Sequence, residues 1–250
     1  MRDFKEAFEK TRLAGSIAAG ALDEVSKIVK PGISTNEIDK LCYEYINDHQ
    51  AYSAPLFYRG FPKSCCTSAN HVVCHGIPSD KILKEGDIVN VDVTAFKDGW
   101  HGDTSRMFKI GKVSIKAEKL INSTYEAMMK AISIVKDKVH LGDIGSTIQK
   151  HVEAEGFSVV QDFCGHGIGE AFHKEPNILH YGEKGSGEKI KTGMIFTIEP
   201  MINIGKYETK ILNDGWTAVT KDKSLSAQFE HTIGVTNDGC EVFTQSNSTN

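Results

Sequence analysis

Residues 88–108 form an apolar strand and its hairpin partner, and each of the two carries one acid, Asp92 and Asp103. Aspartate is depleted in strands, and burying an ionised carboxylate is costly unless something pairs with it. Asp98-Gly99 is a strong two-residue hairpin turn, which sets position 92 opposite position 105. Asp103 lies two residues before 105, so it shares a face with Asp92 and becomes its diagonal neighbour. The nearest base, Arg106, falls on the other face by parity. A cation between the two acids removes their repulsion, and a metal ion is the simplest one. A single buried protonated Asp, or a network of Asp and Thr hydrogen bonds, is the alternative.

Other residues extend the pattern. Glu199 closes the apolar strand 194–198 just before Pro200, and Glu230 lies inside the apolar run 227–235. His75 stands near a strand end, where a lone histidine is usually structural and otherwise a ligand or catalytic, and His166 and His173 lie in the glycine-rich run 164–176. That run superficially resembles a dinucleotide fingerprint, but neither its position nor its spacing fits the strand-to-helix loop such a site requires. Asp92, Asp103, Glu199, Glu230 and His166 together make four carboxylates and one imidazole. The carboxylates sum to a charge of −4, which two divalent cations would balance. An oxygen-rich set with one His suits Mn, Fe, Co or Zn. A paired-metal site generates a hydroxide nucleophile near neutral pH and polarises a carbonyl, so hydrolysis is the natural reaction class.

The elements that must position these residues follow from periodicity. Helical spacing predicts one helix over 4–29, stopped by Lys30-Pro31-Gly32. A second helix is capped by Ser34 or Thr35, with Glu37 placed for a capping box, and runs through Ile46. Residues 51–62 read as irregular, aromatic pocket wall, and 64–78 as a strand running into a loop. Helices are expected at 115–135 and 144–155, and strands at 158–163, at 194–198, around 216–219 and at 227–235. In both Gly86–Asp92 and Gly193–Glu199 an acid follows six residues after a glycine, and 199 minus 92 equals 193 minus 86. Each copy is preceded by two helices and a His-Gly-Ile segment, at His75 and His166. The expectation is therefore an α+β fold in one domain spanning 1–250, with duplicated halves 4–110 and 115–243. The halves share a central, mostly antiparallel curved sheet about a pseudo-two-fold, with the acids at the centre and helices on the outer face. The polar tail 244–250 is expected to be disordered.

Composition removes several function classes. With 40% hydrophobic and 25% charged residues, the chain is an ordinary globular sequence able to bury a large core. Its net charge of −4 and interspersed signs leave no basic block, which argues against nucleic acid as a partner. Six cysteines without a CxxC pair suit a reducing cytoplasm. No targeting segment is evident, and the longest uncharged run near the start, 13–22, is too short and too rich in Gly and Ala for a membrane span.

Several motifs now fall into one order: Cys74-His-Gly-Ile-Pro, Asp92-Val-Thr, His101-Gly-Asp103-Thr, Cys164-Gly-His166-Gly-Ile-Gly, Phe172-His173, Thr197-Ile-Glu199-Pro-Met and Gln228-Phe-Glu230-His-Thr. The chain resembles type I methionine aminopeptidase, the "pita-bread" fold, from about residue 4 to 243. That resemblance implies two divalent ions, Asp92 and Asp103 holding one and Asp103, His166, Glu199 and Glu230 the other, so that Asp103 bridges, as does Glu230. It implies that His75 and His173 bind substrate and stabilise the transition state. It also implies a methionine pocket at Tyr58, Phe61, Cys66, Phe172 and Trp216, and a monovalent cation at Asn70, Val72 and Ser226. The implied substrates are peptides and nascent polypeptide N-termini with a small second residue, met in the cytoplasm at or near the ribosome by a monomer. Three positions depart from the family pattern: Pro55 stands where Cys is common, Phe61 replaces a frequent Tyr, and His71 replaces a commoner acid. Only 33 residues separate His166 from Glu199, which leaves no room for the helical insert of the type II branch and marks the chain as bacterial-type. The rivals are a proline-specific peptidase of the same fold, which usually carries an N-terminal domain, and a metal-free binding protein, which would have lost ligands.

Overall fold

The computed structural model describes residues 4–246. The first half contains helices α1 (Phe4–Ile28) and α2 (Thr35–Asp48), strand β1 (Tyr52–Ser53), a 3-10 turn at Tyr58–Gly60, the short strands β2 (Cys66–Ala69) and β3 (Val72–Cys74), and the long strands β4 (Ile88–Lys97) and β5 (Trp100–Lys109). The second half contains α3 (Ile115–Ser133), α4 (Leu141–Ala154), β6 (Ser158–Val159), β7 (Gly165–Gly167), β8 (Lys174–Ile178), β9 (Ile195–Ile198) and β10 (Met201–Asn203). It continues through β11 (Thr209–Ile211), β12 (Ala218–Thr220), β13 (Ser226–Gln228), β14 (Glu230–Val235) and β15 (Cys240–Val242).

The main sheet has nine strands among the described residues and runs β1-β4-β5-β14-β9-β7-β8, with β2 on β4 and β15 on β14. Its ladders are antiparallel. The β4–β5 turn is the expected one, since Asp98 (φ 49) and Gly99 (φ 85) both take the left-handed conformation a two-residue hairpin needs. Asp92 accordingly pairs with Ser105, and Thr94 with Asp103. Side-chain parity then sorts the sheet into two faces. Val89, Val91 and Val93 pack under α1 and α2, and Phe196 and Ile198 pack with residues of α3 and α4. Arg106 reaches the same helical layer and bonds Asp23 of α1 at 3.0 Å, on the face away from Asp103. A Cβ on Gly102 would overlap the backbone of Gly15, so α1 lies directly on β5 beside Asp103.

A few backbone contacts recur between residues 4–110 and 115–243. Ser34 bridges to Ile82, and His140 to Lys189. Gly32 N–H donates to Leu83 O as Lys138 N–H does to Ile190 O, and Gly86 N–H donates to Ile110 O as Gly193 N–H does to Val235 O. Gly86 (φ 91) and Gly193 (φ 88) both need the left-handed region, which explains a glycine at each repeat start.

Several boundaries differ from expectation. Helix α4 starts at Leu141, three residues early, because Asp143 accepts the His140 N–H at 3.0 Å and anchors the first turn. The expected strand 158–163 shrinks to β6, and 227–235 splits at Phe229, where the chain leaves one sheet for another. Residues 64–74 form two strands, not one: the chain turns at Asn70 (φ 59), with β2 on the main sheet and β3 paired to β12. The tail is packed further than expected: Thr244 is buried and accepts the Thr232 N–H at 3.2 Å, and Ser246 donates to Asp23 at 2.6 Å. Residues 247–250 of that tail lie outside the described residues. Among the described residues no helix is long and apolar enough to cross a membrane.

Candidate active site

Five adjacent strands of the main sheet each deliver one of the five pooled residues. Asp92 comes from β4, Asp103 from β5, Glu230 from β14, Glu199 from the end of β9 and His166 from β7. Register brings Asp92 and Glu230 level, because Ser105 pairs with Asp92 on one side and Glu230 on the other, and Asp103 stands two residues along β5 as the diagonal neighbour of both. His166 Nε2 lies 3.8 Å from Asp103 Oδ2 and 3.6 Å from Glu199 Oε1. Ligand atoms of Asp103, His166 and Glu230 all fall within 4.8 Å of one another. Asp103, Glu199, Glu230 and His166 are buried, and among the described residues no Lys or Arg pairs with any of the five.

Such packing of acids is electrostatically unfavourable on its own. Burial pushes Asp92 up to about 7 and Glu199 up to about 8. Asp103 and Glu230 are driven well above the carboxylate range, first by burial and then by the neighbouring acids. Burial pushes His166 down to about 4, which leaves a neutral imidazole with a lone pair available. Glu230 Oε1 is buried with no hydrogen-bond partner, an acceptor facing other acceptors. Uncompensated acceptors around a neutral imidazole are the donor set that divalent cations fill.

Hydroxyls and one further histidine hold these groups in place. Thr94 donates to Asp103 Oδ1 at 2.7 Å, and Thr232 accepts the Asp103 N–H at 3.0 Å while donating to its carbonyl at 2.7 Å. Thr197 accepts the His166 N–H at 3.0 Å and donates to Glu199 Oε1 at 2.7 Å, so one hydroxyl aims two of the five residues. Gln228 Nε2 donates to Glu199 Oε2 at 3.3 Å, and the Glu199 N–H donates to His180 Nε2 at 3.1 Å. Sequence reasoning missed these supports. Thr94 and Thr197 lie two residues from Asp92 and Glu199, so strand parity could have found them; His180 left no comparable signal.

A cavity of about 310 Å³ opens onto the acids and is lined by Asp92, Asp103, Glu199 and Glu230 together with Tyr58, Phe61, Cys66, His75, Phe172, His173 and Trp216. The cavity thus collects the whole expected substrate pocket, plus Pro55, Arg59 and Thr94. Phe61 is buried edge-on against Trp216, with centroids 5.2 Å apart. His75 (φ 55) follows β3 immediately, and burial lowers the pKa of its imidazole, which meets Phe163 and Trp216 edge-on. The His173 ring lies tilted 4.2 Å from the His166 ring, and its Nδ1 bonds Tyr58 Oη at 3.1 Å. Apart from this cavity, Asn70 and Ser226 meet where the Ser226 N–H donates to Asn70 O at 2.9 Å, and Val72 opens β3 two residues further on. The His71 carbonyl accepts the Thr220 N–H at 3.0 Å, and nothing in the structure explains its imidazole.

The profile of metallopeptidase family M24 matches residues 9–237. The chain belongs to that family, and the metal-capable cluster at the centre of its sheet is where a metallopeptidase site is expected. Among its relatives it is 58% identical to the methionine aminopeptidase of Rickettsia prowazekii (strain Madrid E), over 96% of this chain and 93% of the relative. It is 56% identical to the methionine aminopeptidase of Escherichia coli (strain K12), over 96% of this chain and 91% of the relative. The crystal structure of the Rickettsia prowazekii enzyme superposes with a TM-score of 0.95 at 57% identity, covering 96% of this chain and 98% of that one. A prolidase from Pyrococcus furiosus shares the fold at 22% identity and TM-score 0.78, but this chain covers only 65% of its length.

Proposed function

We propose that this chain removes the N-terminal methionine from peptides and nascent proteins whose second residue is small. The observation that carries the reading is one cavity with two unlike ends: an acid-rich floor built by four neighbouring strands, and an aromatic wall with one thiol. The orphaned Glu230 Oε1 and the unpaired acid cluster support residence of two divalent ions of Mn, Fe, Co or Zn, held by Asp92, Asp103, His166, Glu199 and Glu230. When bound, such ions supply water activation and polarisation of the scissile carbonyl.

The chain's own groups do the rest. The acids at Asp92 draw the free amine of the substrate to one end, which restricts cleavage to the first residue. Methionine enters the wall of Tyr58, Phe61, Cys66, Phe172 and Trp216, where its unbranched thioether gains sulfur-to-aromatic contacts worth about 1 kcal/mol. His173 donates toward the carbonyl oxygen as charge develops there, and His75 faces the amide nitrogen from the opposite side. Crowding between these two histidines refuses a large second side chain by overlap. We further assign a monovalent cation to Asn70, Val72 and Ser226, and a working form that is monomeric and cytoplasmic, acting at or near the ribosome.

A panel of tripeptides varied at the first two positions tests the reading. Met-Gly, Met-Ala and Met-Ser peptides should be cut, and Met-Lys or Met-Phe peptides cut poorly. Faster release from Xaa-Pro peptides, or indifference to the second residue, would move the chain to the proline-specific reading.

A further inference from the structure

Tyr58 contributes its ring to the cavity wall, yet its hydroxyl is used elsewhere. Oη lies 3.1 Å from His173 Nδ1, a contact that spans 115 residues of sequence and ties the 3-10 turn of the first half to the glycine-rich run of the second. The two rings lie 5.2 Å apart, and Phe172 packs 4.9 Å from Tyr58 and 4.1 Å from His173, so a cluster of three mutually tilted rings fixes the geometry. A phenol is a good donor and a poor acceptor, which favours Tyr58 donating and Nδ1 accepting. Arg59 strengthens that donor, since its guanidinium carbon sits 5.3 Å over the Tyr58 ring and draws electron density from the phenol. Arg59 holds this place in a left-handed conformation (φ 48) that non-glycine residues rarely adopt, and among the described residues no carboxylate pairs with it.

We propose that Tyr58 is a positioning residue for His173: its hydroxyl occupies Nδ1 and thereby keeps the single imidazole proton on Nε2. Among the described residues no protein group takes Nε2, so the retained proton is available to a ligand in the cavity that His173 lines. The opposite tautomer would present a lone pair there, and a lone pair cannot stabilise developing negative charge on a carbonyl oxygen. The inference rests on the methionine-removal reading for its catalytic consequence, but the tautomer itself can be read without substrate.

The test combines kinetics with nitrogen NMR. Tyr58→Phe keeps the ring and removes only the hydroxyl. It should lower kcat on Met-Ala-Ser by about tenfold, the worth of one hydrogen bond, with KM and metal content unchanged. In a His173→Ala background the same change should have no further effect, because the two residues act as a unit. Equal losses in both backgrounds, or a rise in KM at constant kcat, would reduce Tyr58 to pocket wall and overturn the proposal. In 15N-labelled wild-type protein reconstituted with zinc, the His173 ring should show the Nε2–H pattern, and Tyr58→Phe should lose it. A wild-type Nδ1–H pattern overturns the proposal whatever the protein cleaves. Failure of the wild-type protein to release methionine at all counts against the function and leaves the tautomer to the NMR result.

Discussion

Among the described residues, two clusters bring ligand atoms of a histidine and two carboxylates within 4.8 Å of one another, and their surroundings are opposite. Asp103, His166 and Glu230 are buried and meet no Lys or Arg among the described residues. Glu126 is exposed and His151 and Glu155 are half-buried where α3 meets α4. There Lys130 bonds His151 Nδ1 at 2.9 Å and sits 3.8 Å from Glu126, while Lys119 sits 3.6 Å from Glu155. The surface acids have their cations already, and an exposed pair of this kind adds little to stability. The buried acids have none, and burial multiplies the penalty for leaving them so. Proximity of ligand types therefore does not define a metal centre; charge left uncompensated in a dry place does.

The contrast can be broken by substitution. Asp103→Asn or Glu230→Gln should abolish measurable methionine release, a loss of at least roughly three orders of magnitude, since each removes a proposed bridging oxygen. Metal content by mass spectrometry should fall in parallel. Retention of full metal and activity in either variant would undo the assignment. A smaller effect is expected at Thr197→Val, which leaves all five proposed ligands in place but frees His166 and Glu199 from their shared hydroxyl. Loss of such a support costs about 10–100-fold in metal affinity or activity, measurable by calorimetric titration with Mn. The smallest effect belongs to the surface cluster. His151→Ala should leave kcat/KM within about twofold and stability within about 1 kcal/mol, as expected for exposed ion pairs; a large activity loss would mean that the surface cluster has a role denied to it here.

How much of this could be read from the chain depended on how local the cause was. The Asp98-Gly99 turn dictates the β4–β5 register, so the facing of Asp92 and Asp103 and the exclusion of Arg106 followed from parity alone. Glu199 and Glu230 were visible as charges in apolar company. The matched glycines at 86 and 193 were legible because both answer the same backbone demand. What escaped was set by distant partners. The sheet switch at Phe229, the anchoring of Thr244 on Thr232, the support of Glu199 by His180 and the contact of Tyr58 with His173 all depend on residues far apart in sequence. The turn between β2 and β3 was missed for a milder reason, since Asn70-His71 is a weaker turn signal than Asn-Gly or Asp-Gly.

The most direct measurement is methionine release from Met-Ala-Ser by protein stripped with a chelator under anaerobic conditions, followed by stepwise return of Mn²⁺ while bound metal is counted. The account predicts no release from the stripped protein and recovery that tracks filling of the site. Undiminished turnover without metal would contradict it.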